Sequence, residues 1–154
     1  MKILMVCLGN ICRSPLAEGI MQAKIEDHDL DWKVDSAGTS GYHIGQPPDE
    51  RSILVAKKNN IDITNQRARQ FAIEDFEHYD LICAMDSSNF SNLKKKAQIQ
   101  DQLDKIHMIM NFSQHGRNVN VIDPYYGDEG FETVFNMLDE ACNAIISRFK
   151  SNSI

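Results

Sequence analysis

Short apolar runs alternate with longer amphipathic segments along this chain of 154 residues. The apolar runs have the length and composition of buried strands, and they cover residues 2–6, 32–35, 79–85 and 105–109. The segments with helical spacing and capping residues are 15–27, 50–58, 87–98 and 129–150. Strands that alternate with helices predict βαβ units. We therefore expect an α/β fold in three layers, with helices on both faces of a parallel sheet.

The clearest helix is predicted near the C-terminus. Its apolar residues recur at spacings of three and four, which places them on one face; they are Phe131, Val134, Phe135, Leu138, Ala141, Ile145 and Phe149. At the first helix, Ser14 is a suitable N-cap and Pro15 suits a first-turn position. Ser87 is the expected cap of the third helix. In such folds ligands bind beyond the carboxyl ends of the strands, and Cys7 follows the first strand.

Composition bounds the class of protein. The length fits one domain, 1–154, and the hydrophobic fraction of 42% and charged fraction of 25% are ordinary for a globular protein. A net charge of -6 disfavours a nonspecific nucleic-acid binder. No apolar run reaches the roughly 20 residues of a membrane span. The N-terminal run lacks a cleavage site, and four cysteines make no regular framework. We expect a cytoplasmic protein, with export by a route without a signal peptide left open.

Residues 7–13, of sequence CLGNICR, have the residue types of an oxyanion site. A short loop between a strand and a helix start directs backbone N–H groups and the positive end of the helix dipole inward. Arg13 has a planar fork that matches two phosphate oxygens. The same positive surroundings favour the thiolate of Cys7, which is then a nucleophile at the floor of the pocket. Gly9 relieves crowding where the backbone turns.

Several residues of this loop have a second interpretation. Cys7 can be a buried structural thiol, although the strand before it and the helix after it favour catalysis. Ser14 is interpreted first as a helix cap and second as a hydrogen-bond donor to the Cys7 sulfur. Cys12 is either a small apolar filler or a resolving thiol that forms a disulfide with an oxidised Cys7. The cysteine spacing does not fit a metal site, so no metal or cofactor is expected.

A second motif, DPYY, precedes the last helix. Expelling a phenolate, whose conjugate acid has a pKa near 10, is easier when an acid donates a proton. Asp123 is the candidate general acid, and Pro124 stiffens the loop that holds it. Tyr125 and Tyr126 are candidate walls of a slot for a phenyl ring. The alternative is a surface turn with partly buried aromatics. Of the five histidines, His43 is the one considered for contact with a substrate.

Taken together, residues 7–15 and 123–126 resemble the low-molecular-weight protein tyrosine phosphatases, and the likeness extends over nearly the whole chain. The resemblance implies a flavodoxin-like fold with a four-stranded parallel sheet and metal-free hydrolysis of protein phosphotyrosine through a phosphocysteine. It implies that Cys7 is the nucleophile, Arg13 the phosphate clamp and Asp123 the general acid and then base. The remaining residues that we assign to the phosphate-binding loop are Leu8, Gly9, Asn10, Ile11, Cys12 and Ser14.

The resemblance also assigns supporting residues. It implies that Asn10 organises the loop through Ser36, and that Tyr42 and Tyr125 are walls of the substrate slot. Many relatives have a histidine where this chain has Gln66. We therefore do not expect the hydrogen bond with which that histidine supports the loop to be kept in the same form. Expected partners are tyrosine-phosphorylated proteins and, in the pocket, phosphate or similar oxyanions. No nucleic acid or membrane partner is expected. We expect a monomer that can self-associate weakly.

Two other functions stay open at this point. A thiol-dependent arsenate reductase has a similar fold and loop but needs a relay of thiols. Cys83 lies at the end of a strand, but the further cysteine expected a few residues later is absent, and Phe90 stands there. A non-catalytic phosphate-binding module would keep Arg13 but need neither Cys7 nor Asp123. The presence of both favours an enzyme.

Overall fold

The computed structural model describes residues 1–124 and 130–152. Its strands are β1 (Lys2–Cys7), β2 (Lys33–Gly38), β3 (Leu81–Ala84) and β4 (Ile106–Met108). Its α-helices are α1 (Arg13–Asp27), α2 (Glu50–Lys58), α3 (Asp75–His78), α4 (Ser87–Lys96), α5 (Gln100–Asp104) and α6 (Gly130–Phe149). Short 3-10 helices span Ile109–Phe112 and Lys150–Asn152.

The four strands form one sheet in the order β2-β1-β3-β4, and every pairing is parallel. In the register, Cys7 at the end of β1 lies opposite Gly38 at the end of β2. Both carboxyl ends therefore meet at one edge of the sheet, and the loop after Cys7 begins at that edge. The predicted parallel α/β sheet is confirmed.

Both faces of the sheet are covered, as the central strand demonstrates. Residues Ile3 to Val6 of β1 are fully buried. Ile3 and Met5 belong to a core that includes side chains of α1 and α6, whereas Leu4 and Val6 belong to a second core that includes side chains of α3 and α4. Because successive strand residues point to opposite faces, the burial of both sets makes β1 the centre of a three-layer structure.

Helix α6 packs its predicted apolar face into the first core. The residues of this stripe that are buried there are Phe131, Val134, Phe135, Leu138, Ala141 and Ile145. The helix lies against α1, and Lys24 of α1 reaches Asp139 of α6 with an N–O distance of 2.8 Å. This packing holds α1, and with it the loop that precedes α1, against the sheet.

Two predicted helix caps are wrong. Helix α1 begins at Arg13 with Cys12 at the N-cap position, so Ser14 lies inside the first turn and makes no capping hydrogen bond. Helix α4 is capped by Asp86, whose carboxylate accepts the N–H of Asn89, and not by Ser87. The sequence also gave no prediction of the short helices α3 and α5, which are too brief to produce a periodic pattern.

Candidate active site

A cavity of about 250 Å³ opens where the chain leaves β1. Its lining includes residues of the loop after β1, two residues of the segment after β2 and one residue of the segment before α6. These are Cys7, Leu8, Gly9, Ile11, Cys12, Arg13, Tyr42, His43 and Asp123. The structure thus brings Cys7, Arg13 and Asp123 to one pocket, although Cys7 and Asp123 are 116 positions apart in the sequence.

The backbone of the loop turns its carbonyl groups away from this cavity. The carbonyls of Cys7 and Leu8 accept the N–H groups of Thr39 and Ser40, both at 2.9 Å, and the carbonyl of Ile11 accepts the N–H of Asp49 at 2.8 Å. With the carbonyls held by neighbouring segments, the loop presents N–H groups on its other side. Within the described residues, neither Gly9 nor Ile11 donates its N–H to a protein group. Such an arrangement is typical of an anion-binding loop.

Asn10 makes the sharp turn in this loop. It has a φ of 59°, in the left-handed region that asparagine tolerates better than most residues. A Cβ at Gly9 would approach Cδ2 of His43 to 2.9 Å, so the imidazole ring would have to shift. The sequence indicated crowding at Gly9 but did not reveal the left-handed position at Asn10.

Two hydrogen bonds converge on the sulfur of Cys7. The hydroxyl of Ser14 lies 3.0 Å from Sγ, and the backbone N–H of Asn10 donates to Sγ at 3.3 Å. Hydrogen bonds to a thiolate stabilise its charged form. Helix α1 begins six residues later and has no acidic residue in its first turn, so its positive end also faces the loop. The second interpretation of Ser14 is therefore the one that the structure supports.

Asn10 connects the loop to the strand beside it. Its side-chain amide donates to Ser14 Oγ at 2.8 Å and to Ser36 Oγ at 3.0 Å, so the expected link between Asn10 and Ser36 is present. Ser36 in turn donates its hydroxyl to Glu18 at 2.7 Å. Gln66 takes no part in this link: its amide nitrogen donates to the carbonyl of Pro15 at 3.0 Å.

Arg13 is held by Asp86, an acidic residue that the sequence analysis did not assign to the site. Nη1 of Arg13 donates to Asp86 at 2.7 Å and to the carbonyl of Val121 at 3.1 Å. Both contacts use the same nitrogen. Among the described residues, no hydrogen bond involves Nε or Nη2, and the guanidinium lines the pocket. The sequence signal for Asp86 is its position directly after a buried strand, at the same sheet edge as Cys7.

The remaining predicted residues surround the opening. Tyr42 is 80% exposed and lines the cavity. His43 also lines the cavity, and its Nδ1 lies 3.0 Å from Oε1 of Gln46. Asp123, in the segment that precedes α6, also lines the cavity. Tyr125 and Tyr126 lie outside the described residues.

The four cysteines differ in their surroundings. Burial, together with the nearby Asp49 carboxylate, raises the pKa of Cys12 to about 12, so this residue is a neutral thiol at physiological pH. Burial raises the pKa of Cys142 to about 12 and that of Cys83 well above its ordinary value. Cys83 and Cys142 are fully buried in the core and do not line the cavity.

Comparison with known proteins agrees with this geometry. The family model for low molecular weight phosphotyrosine protein phosphatases matches residues 2–153. A putative low molecular weight protein-tyrosine-phosphatase of Synechocystis is 45% identical over 150 residues, which cover 96% of this chain and 95% of that protein. The human low molecular weight phosphotyrosine protein phosphatase is 40% identical over 151 residues, covering 96% and 94% of the two chains.

A solved structure has the same architecture. The protein tyrosine phosphatase of Entamoeba histolytica, crystallised with Hepes in its active site, superposes with a TM-score of 0.92 at 37% identity and covers 100% of this chain and 99% of that one. The fold and the pocket define a phosphate-monoester hydrolase on a flavodoxin-like α/β scaffold. The chain belongs to the low molecular weight phosphotyrosine protein phosphatase family.

Proposed function

We propose that this enzyme hydrolyses protein phosphotyrosine and small aryl phosphates through a cysteinyl-phosphate intermediate. The observation that carries the proposal is the convergence of Ser14 Oγ and the Asn10 N–H on Cys7 Sγ in a cavity that Arg13 also lines. A thiolate held in this way is both a nucleophile and a good leaving group. The Arg13 fork offers donors to the oxygens of the transferred phosphoryl group.

The reaction has two steps. In the first, the Cys7 thiolate attacks phosphorus, the bond between phosphorus and the tyrosine oxygen breaks, and Asp123 donates a proton to the departing phenolate. In the second, Asp123 takes a proton from water, the oxygen of that water attacks phosphorus, and the Cys7 thiolate leaves with the electrons of the sulfur–phosphorus bond. Phosphate and tyrosine are the products, and the enzyme returns to its starting state.

The pocket lining supports an aryl substrate. Leu8 and Ile11 give the cavity apolar walls, and the exposed ring of Tyr42 stands where a phenyl ring would pass. Aromatic rings are bound well by such surfaces. We propose Tyr42, Tyr125 and Tyr126 as the walls of the slot and tyrosine-phosphorylated proteins as the substrates.

We further propose one phosphatase domain over 1–154, acting as a monomer in the cytoplasm. Over the described residues, no helix has the length and apolarity to cross a bilayer.

The arsenate reductase alternative loses support from the placement of the thiols. A reductase relay needs a third accessible sulfur near the first two. Cys83 is fully buried, packs in the core with Cys142, and does not line the pocket. The binding-module alternative does not account for a sulfur with two hydrogen-bond donors and a carboxylate, Asp123, at the same cavity.

Cys12 is our candidate for the resolving thiol. It lines the cavity with Cys7, and a disulfide between the two would protect Cys7 from irreversible oxidation. Because of its raised pKa, Cys12 is not the thiol that is oxidised first. A peroxide would oxidise the Cys7 thiolate to a sulfenic acid, and Cys12 would then displace its hydroxyl group to form the disulfide and water.

The test is a comparison of wild type with Cys7→Ser on 4-nitrophenyl phosphate. We expect turnover to fall by at least about four orders of magnitude, because serine lacks a thiolate, while binding of inorganic phosphate is retained. Acid quenching during turnover of wild type should trap phosphate on Cys7, detected by peptide mass spectrometry. A chelator should leave the rate unchanged. Phosphate trapped on another residue, or metal-dependent recovery after chelation, would overturn the mechanism.

A further inference from the structure

The hydrogen bonds around Cys7 have a direction that can be worked out from their donors. A backbone N–H only donates, and the N–H of Arg69 points to Oδ1 of Asn10 at 3.0 Å. The amide nitrogen of Asn10 therefore faces the other way, and its two hydrogens go to the hydroxyl oxygens of Ser14 and Ser36. The hydrogen-bond partners thereby determine the orientation of the Asn10 amide.

Each hydroxyl that accepts from Asn10 has one proton left to donate. Ser14 has Cys7 Sγ as its acceptor at 3.0 Å, and Ser36 has Oε1 of Glu18 at 2.7 Å. Asn10, Ser14 and Ser36 are all at least 96% buried, so bulk water does not offer these groups substitute partners. Asn10 therefore donates to both hydroxyls, Ser14 donates to Cys7, and Ser36 donates to Glu18. Glu18 is the final acceptor on the side of the network away from Cys7.

We propose that Glu18 is a positioning residue for the phosphatase reaction. By accepting the proton of Ser36 it keeps the lone pair of that hydroxyl directed at Asn10, and the Asn10 amide in turn keeps the proton of Ser14 directed at Cys7. Without this acceptor, the Ser36 proton loses its partner, so the hydroxyl rotates more freely and holds the Asn10 amide less firmly. The proposal rests on the proposed role of Cys7 as nucleophile.

The position of Glu18 in the fold is well defined. It lies in the second turn of α1, next to Gly19, where a Cβ would approach Ile63 to 2.5 Å. This close approach of the helix to the segment around Ile63 leaves Glu18 at the wall of a second cavity, of about 530 Å³. The charged groups that face Glu18 or share this cavity are Glu26, Asp35, Asp62, Arg67 and Arg69.

The proposed role does not require Glu18 to be ionised. Burial raises the pKa of Glu18 to about 7, and the hydrogen bond from Ser36 opposes this rise. The carboxylate and the neutral acid are therefore both present near neutral pH. A carboxyl group that has its proton on one oxygen still accepts on the other, so the direction of the network is kept in both forms. Glutamine at this position also offers an accepting oxygen, whereas leucine offers none.

The experiment compares Glu18→Leu, Glu18→Gln and Glu18→Ala with wild type on an aryl phosphate. We expect Glu18→Leu and Glu18→Ala to lower kcat about tenfold with KM nearly unchanged, and Glu18→Gln to stay within about twofold of wild type. Glu26→Leu is the matched control, because Glu26 lines the same cavity from the same helix, but its carboxylate accepts a hydrogen bond only from Gln22 among the described groups.

A double-mutant cycle with Ser36→Ala separates positioning from general damage to the fold. Glu18 is proposed to act through Ser36, so Glu18→Leu should lower kcat little further when Ser36 is already alanine. The rate of Cys7 alkylation by iodoacetate at pH 6 should fall about threefold in Glu18→Leu and recover in Glu18→Gln. An additive loss in the cycle, equal losses in the Leu and Gln variants, or unchanged alkylation would overturn the proposal.

The alkylation measurement also separates this proposal from the proposed reaction. It reports on the Cys7 sulfur in the absence of any phosphate ester. If Cys7→Ser kept full turnover, the reaction mechanism would fail whatever the Glu18 variants did. If Cys7→Ser were inactive and the Glu18 variants behaved like wild type in turnover and alkylation, the role of Glu18 alone would fail.

Discussion

Single side chains divide the chemistry of this pocket among residue types that cannot replace one another. The sulfur of Cys7 receives hydrogen bonds from Ser14 and from the Asn10 backbone. A planar fork such as that of Arg13 matches phosphoryl oxygens, and Asp123 is the proposed source of a transferable proton. Each of these contributions depends on the placement of a few atoms to within hydrogen-bonding distance. Predictions at this scale therefore concern rates more than stability.

The role of Asp123 as general acid is tested by the dependence of the rate on the leaving group. In Asp123→Asn the phenolate departs without a proton, so kcat for phenyl phosphate should fall about 100-fold or more, while 4-nitrophenyl phosphate, whose leaving group needs little protonation, should lose much less. Steady-state rates over a series of aryl phosphates measure this. Asp104→Asn, at an exposed site in α5, is the control. Equal slowing across the series would contradict the acid role.

At the scale of elements, the starts of two helices build the site. Helix α1 begins at the end of the loop and directs its positive end at the pocket. The cap of α4 does two things at once: one oxygen of Asp86 accepts the N–H of Asn89, and the other holds Arg13 at 2.7 Å. The arrangement links the position of α4, on the second face of the sheet, to the orientation of Arg13, the proposed phosphate clamp.

Replacing Asp86 by asparagine separates these two contributions. Asparagine is also a good N-cap, so α4 should persist. The free energy of unfolding should change much less than in a variant such as Asp86→Ala, which has no capping side chain. Arg13, however, meets an amide in place of a carboxylate and loses its orientation. We expect kcat to fall about tenfold or more with a smaller change in KM.

Steady-state kinetics and urea unfolding measure the two effects of Asp86→Asn. The control is Asp80→Asn, which neutralises an exposed carboxylate bonded to the backbone of Lys2. A variant of Asp86 that kept wild-type kcat would show that the ion pair does not orient Arg13.

At the scale of the whole molecule, the sheet separates two hydrophobic cores, and the pocket lies at the edge where its strands end. Cys83 and Cys142 are fully buried in the first core, whereas Cys7 and Cys12 line the pocket. The tertiary structure therefore divides four chemically equal side chains into two groups with different access to solvent.

This division predicts the order in which the thiols react. Iodoacetate at pH 7 should modify Cys7 first, and phosphate should protect it. Cys83 and Cys142 should react only after unfolding, because burial excludes the reagent and raises the pKa of both thiols. Peptide mass spectrometry in native buffer and in urea measures the order. Modification of Cys83 in the native protein at the rate of Cys7 would contradict it.

The pH dependence of stability gives a further prediction. The pKa of Glu18 is about 7 in the folded protein, above the ordinary value of 4.5, so the folded state binds this proton more tightly than the unfolded chain does. The contribution of Glu18 is fully favourable below about pH 4.5 and is lost as pH rises through 7.

Wild type should therefore lose stability relative to Glu18→Gln between pH 4.5 and pH 8, by up to about 3 kcal/mol. Urea unfolding of both proteins at several pH values measures this difference. If the substitution only removed a hydrogen bond, the free energies of unfolding of the two proteins would differ by the same amount at every pH. A difference that does not change with pH would therefore show that the pKa of Glu18 is not raised in the folded protein.

The sequence by itself determined the features that depend on neighbours along the chain. The apolar runs predicted the strands, the stripe of α6 predicted its buried face, and residues 7–13 predicted a thiol and an arginine in one loop between a strand and a helix. These predictions succeeded because strand pattern, helix periodicity and a seven-residue loop are local properties.

Only the tertiary structure decided which distant groups complete the loop. Asp86 lies behind Arg13 because β3 ends at the same sheet edge as β1. The Arg69 N–H reaches Asn10 from the segment that runs beside the end of β2. Glu18 reaches Ser36 because α1 packs against β2. The structure also decided that Ser14 bonds to Cys7 Sγ and does not cap α1. A hydroxyl rotates to whichever partner burial leaves within reach, and burial is a property of the whole fold.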